Sequence, residues 1–175
     1  MERDTEHLHL RPLSMSDADA LYPLHQDPAM QRYFGDGHVY ARDESRTWLE
    51  WHVGMWELQG YSFFAVELRP ESRFIGWLGL NKVLDDPELN GTPEIGWFID
   101  RQYWGRGLAS EGAREALRFG FDELGFDRVI ARYNTDNHAS GRVMEKIGMQ
   151  WWREIPHADV PGATVTLYEI RPTDG

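Results

Sequence analysis

The chain contains no cysteine. Disulfides, a thiol nucleophile and a thiolate-held metal are therefore excluded. It has no apolar run approaching the roughly 18 residues that cross a bilayer, and no membrane partner is expected. Basic residues are scarce: 18 Lys and Arg stand against 29 Asp and Glu, for a net charge of −11. That balance argues against nucleic acid, whose recognition needs a basic face, and suits a cationic substrate better. Internal repeats, low-complexity tracts and domain-splitting linkers are also absent, so one domain spanning residues 1–175 is expected. The polar start, Met1-Glu2-Arg3-Asp4, has no apolar core of the signal-peptide kind. A soluble cytoplasmic protein is the expectation.

What is present points to a globular fold. Hydrophobic residues make up 41% of the 175, and eight are Trp, enough to exclude disorder and to supply a core or an interface. Leu8, Leu10 and Leu13 frame a short strand stopped by Pro12 and Ser14. Ser16 can cap a helix over 16–24, with Asp17 and Asp19 near its positive end, and Pro23 is expected to bend or end it. A second short helix is read over 27–34. A longer one over 43–58, closed by Gly60, carries Trp48, Trp51 and Trp56 for the core or for a substrate pocket. Strands follow at 61–68 and 74–83, a hairpin about Pro70-Glu71-Ser72. The acidic loop 85–91 is either solvated surface or one wall of a cleft that attracts amines. Strand 94–100 precedes a helix over 108–124 with one apolar face, ended by Gly125. Then come strand 128–133 and a helix after Asn137 whose inward face holds Ser140, Val143, Met144 and Ile147. Strands 150–155 and 164–170 close the chain. Strand and helix alternate through the centre, so the class is α/β (α+β), a mixed sheet with helices packed on it.

The chemistry is concentrated in Gln102-Tyr103-Trp104-Gly105-Arg106-Gly107-Leu108-Ala109-Ser110, between a strand and a helix. Two glycines let the backbone approach a ligand, and the helix start offers free N–H groups and a partial positive charge. This is an anion site, with phosphate the expected anion, or else only a tight strand-to-helix turn. The spacing Q-x-x-G-x-G is neither the dinucleotide fingerprint nor the nucleotide-triphosphate loop.

Together with Asn137-His138-Ala139-Ser140-Gly141-Arg142-Val143-Met144-Glu145-Lys146-Ile147-Gly148-Met149, this loop resembles the GNAT acetyltransferases, and within them the RimJ/RimL-like branch. The likeness runs from about Leu8 to Ile170 and is strongest between Glu94 and Met149. It implies transfer of acetyl from acetyl-CoA to an amine, without a metal. The acceptor is a protein N-terminus or a small molecule, and branch members are often dimers. A CoA-binding module without turnover is the alternative of another class. The implied fold has a central sheet of about seven strands flanked by about four helices. Its fourth and fifth strands, here 94–100 and 128–133, splay to admit pantetheine.

The resemblance also assigns residues. Backbone N–H groups from Gly105 through Ser110 would hold the pyrophosphate, within a cofactor set of Gln102, Trp104, Gly105, Arg106, Gly107, Leu108, Ala109 and Ser110. Phe98 and Ile99 would pair with the pantetheine amides. Asn137 matches the family's CoA-contacting Asn, or caps its own helix. Glu94, on the strand beside the gap, is the candidate base, with His138 and His157 as weaker ones. Many relatives place Tyr where this chain has Met144, a side chain that cannot donate a proton. Ser140, one turn earlier on the same face, is the candidate partner of the departing sulfur.

Overall fold

The computed structural model describes residues 1–172. Its frame is one sheet of eight strands among the described residues, in the order β1-β2-β3-β4-β5-β6-β8-β7. These are β1 (Arg3–Asp4), β2 (Leu8–Pro12), β3 (Phe63–Leu68), β4 (Arg73–Lys82), β5 (Pro93–Ile99), β6 (Val129–Asn134), β7 (Gln150–Pro156) and β8 (Thr164–Ile170). The helices are α1 (Ala18–His25), α2 (Pro28–Gln31), α3 (Arg42–Gln59), α4 (Leu108–Arg118) and α5 (His138–Lys146). The strand beyond the expected seven is β1, only two residues long and too short to leave a period. It pairs with β2, while Arg3 binds Glu115 of α4 and Glu123 in the segment that follows it. Several helix boundaries also differ from the sequence reading. Ser16 lies within a short turn over Met15–Asp17, so α1 starts after Asp17 and not after Ser16, and the helix read over 27–34 is confined to Pro28–Gln31. Pro23 lies inside α1, which runs on to His25; the missing N–H leaves the Asp19 carbonyl without its helical donor but does not end the helix. The expected helix over 108–124 stops being α-helical after Arg118 and widens through Phe119–Glu123 before Gly125.

Strand alternation sends side chains to two faces. On one, Ile95, Ile99, Val129 and Ala131 pack with Leu108, Ala113, Ala116 and Leu117 of α4 and Met144 of α5. Gly112 lies so close to the sheet that a Cβ there would come within 2.4 Å of Leu78. On the other face, Phe63, Trp77 and Phe98 pack against Leu21, Met30 and Leu49. The ring of Trp77 stacks on Phe98 at 5.4 Å and on Phe63 at 4.3 Å.

That aromatic layer encloses two imidazoles. His25 is fully buried, and its Nδ1 lies 2.9 Å from Ser45 Oγ. His52 is 3% exposed, with Nδ1 2.8 Å from Ser62 Oγ. The indole of Trp48 touches both rings. Burial pushes the pKa of His25 down from 6.5 to about 4. Burial, helped by the nearby His25, pushes His52 down to about 3. Both stay neutral in the native state while an unfolded chain would protonate them below about 6.5. Their contribution to stability is thus complete above that pH and is lost as pH falls toward 4. Stability at pH 5 is expected to lie below that at pH 7 by on the order of 2 kcal/mol per imidazole. Urea unfolding of His25→Gln at the two pH values should show a smaller gap than wild type; an equal gap would remove His25 from the account.

Candidate active site

The site is organised by a fault in the sheet. β5 and β6 run parallel and share a single backbone pair, Glu94 with Ile130. Beyond it, toward Ile99 and Asn134, the two strands part. One wall of the gap is β5, held on its other edge by seven pairs to β4. The other wall is β6, held by β8.

The glycine loop closes the open end. Asp100 turns the chain by accepting from the Gln102 N–H at 3.0 Å. Gly105 (φ 75°) and Gly107 (φ 82°) both take the left-handed conformation, which costs a Cβ-bearing residue roughly 1–2 kcal/mol. Gly107 is the cap residue of α4, and no side chain caps this helix. The first helical bond is Glu111 N–H to Gly107 carbonyl, at 3.0 Å. Among the described residues, the N–H groups of Leu108, Ala109 and Ser110 have no protein acceptor. Leu108 and Ser110 are buried, anchoring the helix start, whereas Gln102, Trp104, Gly105, Arg106 and Gly107 are exposed. The Arg106 guanidinium lies 5.1 Å from the Tyr103 ring centroid. Trp104 donates its indole N–H to the Ile99 carbonyl at 2.5 Å, so this carbonyl of β5 is already engaged. Phe98 turns its side chain into the aromatic layer, edge-on to His25 at 5.6 Å.

The opposite wall carries α5. Asn137 caps it, its Oδ1 accepting from Ser140 N–H at 3.3 Å. The same residue donates from Nδ2 to Ser140 Oγ at 3.0 Å. Ser140 Oγ is thus an acceptor of that bond, and its own proton is free. Met144, one turn on, is 1% exposed and belongs to the core. Beneath this turn lies the Tyr133 hydroxyl of β6: a Cβ on Gly141 would stand 2.9 Å from it. Gly141 leaves room for a second hydroxyl group beside Ser140. Tyr133 was not singled out from sequence, since contact between a strand residue and a later helix leaves no local period.

Glu94 does not stand alone. Arg132 on β6 grips it with Nε at 2.7 Å from Oε1 and Nη2 at 3.0 Å from Oε2. The same guanidinium reaches Asp85 at 2.9 Å. The acids of loop 85–91 are largely used within the protein: Asp85 holds Arg132, Glu88 holds Arg153, and Asp86 accepts from the Glu88 N–H. His157 accepts at Nδ1 from two backbone N–H groups of its own loop, and His138 is exposed at the start of α5. No three metal-ligating side chains come together among the described residues.

Residues 7–150 match the family model of the acetyltransferase (GNAT) domain. The chain belongs to the GNAT acetyltransferases. It is similar to YnaD of Bacillus subtilis, an uncharacterised N-acetyltransferase, at 30% identity over 90% of this chain and 96% of that one. It shares 30% identity with the crystal structure of a GNAT-family acetyltransferase from Bacillus anthracis, covering 98% of each chain with a TM-score of 0.81. A further structure, RimL bound to coenzyme A, shares the fold at 22% identity and a TM-score of 0.78, covering 95% of each chain. This GNAT member is an N-acetyltransferase that depends on acetyl-CoA.

Proposed function

We propose that this acetyltransferase acts by direct attack of a primary α-amine, such as a peptide or protein N-terminus, on the thioester held between β5 and β6. The observation that carries the choice of amine is the state of Glu94, whose two oxygens already accept from Arg132. A carboxylate offers about four acceptor positions, so Glu94 retains room for a water that relays the amine's proton. A carboxylate acting through water is enough for an α-amino group. With a pKa near 8 such a group costs about 1.4 kcal/mol to deprotonate at pH 7, against about 4.6 for a lysine amine. The name of the RimL structure, a ribosomal L7/L12 α-N-protein acetyltransferase, supports the same direction.

In this reading the N–H groups of residues 105–110 bind the pyrophosphate, with Gln102, Trp104 and Arg106 around it. The pantetheine arm lies along β5 near Phe98 and Ile99, and Asn137 and Ser140 face it from α5. The nitrogen bonds the acetyl carbon, the C–S bond breaks, and the sulfur takes up the charge.

Initial rates with acetyl-CoA at pH 7 should favour an N-terminal peptide over an N-blocked lysine peptide or a polyamine by at least about tenfold in kcat/KM, given the difference in deprotonation cost. Equal or reversed preference would move the assignment to the small-molecule or lysine class.

A further inference from the structure

Arg132 stands at the one place where the two halves of the sheet are joined by a single backbone pair. It lies two residues beyond Ile130 and therefore on the same face of β6, where the strands have begun to part. Its side chain runs back across the opening to Glu94 and outward to Asp85 in the loop between β4 and β5. Both partners belong to the larger half of the sheet, and Arg132 to the smaller. The Arg132–Glu94 pair is largely withdrawn from water, its side chains 20% and 21% exposed, whereas Asp85 stands in solvent. Burial works against the charge on Arg132, yet the two carboxylates raise its pKa above the usual arginine value. A planar guanidinium that forks onto one carboxylate and bridges to a second fixes direction as well as distance, which a lysine ammonium does not.

We propose that Arg132 is a positioning residue that sets how far β5 and β6 part, and so fits the gap to the pantetheine arm. This rests on the assignment of the gap to the cofactor. The backbone pair alone leaves β6 a hinge about residues 94 and 130. The guanidinium is a strut one step further along, and it holds Glu94 facing the gap. Removing Arg132 leaves the Glu94 carboxylate unpaired and partly buried, and removing Glu94 leaves Arg132 held by Asp85 alone, so both the width of the gap and the rigidity of its walls are expected to change.

The test is titration calorimetry with coenzyme A, which reads binding without turnover, combined with thermal melting in the absence of ligand. Arg132→Gln and Glu94→Gln should each weaken coenzyme A binding by about tenfold, and Asp85→Asn by less. Arg132→Lys, which keeps the charge and loses the fork, should fall near Arg132→Gln and remains informative if Arg132→Gln does not fold. The reciprocal exchange, Glu94→Arg with Arg132→Glu, rebuilds the strut in reverse. Binding should return to within about threefold of wild type, while acetyl transfer stays low because the carboxylate now hangs from the wrong strand. Wild-type affinity in folded Arg132→Gln, or a folded exchange variant that binds no better than the single ones, would overturn the proposal. Recovery of acetyl transfer in the exchange variant would instead count against Glu94 as the base and leave the strut standing. Should Gly107→Asp bind coenzyme A normally, the fault would lie in the placing of the cofactor.

Discussion

Gly107→Asp is expected to lower acetyl-CoA affinity by more than about 100-fold, to the point of no measurable heat in a calorimetric titration. The effect has two parts. A carboxylate would stand at a helix start whose partial charge and free N–H groups favour an anion, and on the proposed placing of the cofactor it would repel the pyrophosphate. The Cβ itself would enter open space beside the helix start, since the position it would take has no protein atom within 4 Å, and would crowd an anion bound there. That openness makes the result readable. The only cost to the fold is the left-handed backbone at φ 82°, which Asp tolerates better than most residues, so the variant should fold and melt close to wild type. Gly107→Ala, with the same Cβ and no charge, should retain part of the affinity. Equal acetyl-CoA affinity in wild type and Gly107→Asp would show that the loop does not hold the cofactor.

Ser140→Ala is expected to reduce kcat by about 10–100-fold, at or below the usual range for a general acid, with acetyl-CoA affinity nearly unchanged. The Ser140 oxygen accepts from Asn137 Nδ2 at 3.0 Å. This fixes the hydroxyl on the first turn of α5 and, among the described residues, leaves its hydrogen without an acceptor, so that on the proposed mechanism it can be donated to the sulfur. Among the described residues it makes no bond back to a carbonyl of its own helix, the arrangement that would have occupied that hydrogen. A thiolate with a pKa near 8.5 already leaves readily, so the loss should be moderate. It should shrink further with an acetyl thioester of a more acidic thiol. Ser140→Ala would also free Asn137 Nδ2, so Ser140→Cys, which keeps a weak donor, is the useful companion and should lie between the two. Wild-type kcat in Ser140→Ala, with chemistry shown to be rate-limiting in single-turnover experiments, would return Ser140 to a structural role.

The sequence was most informative where local rules govern. The glycines at 105 and 107, the apolar face of α4 and the Asn at the start of α5 are each legible within a few residues, because turns, helix periods and caps are local. Alternation of strand and helix indicated the sheet, and the family resemblance indicated which two strands part. The strut was not legible. Arg132 lies 38 residues from Glu94 and 47 from Asp85, and a charged residue on a strand reads as surface until its partners are placed. Glu94 was read as the candidate base, and its ion pair with Arg132 stayed out of sight for the same reason. His25 lay in a helix whose burial depends on α3 and β5, so its period gave no sign of a buried, uncharged imidazole. Tyr133 was hidden likewise, since the residue that makes room for its hydroxyl, Gly141, is on another element.

The strand order has a consequence for how this protein comes into being. β6 is a wall of the gap in the sheet, and on its outer edge it is paired along residues 129–134 with β8. β7 reaches the sheet only through β8. A ribosome that has released the glycine loop, α4 and β6 has therefore delivered one wall held by β4 and a second wall whose outer edge has no partner strand yet. Until residues 164–170 emerge and slide between β6 and β7, both strands expose unpaired edges, a state open to mispairing with other chains. Competence to bind the cofactor should arrive late and abruptly during synthesis, with the insertion of one seven-residue strand.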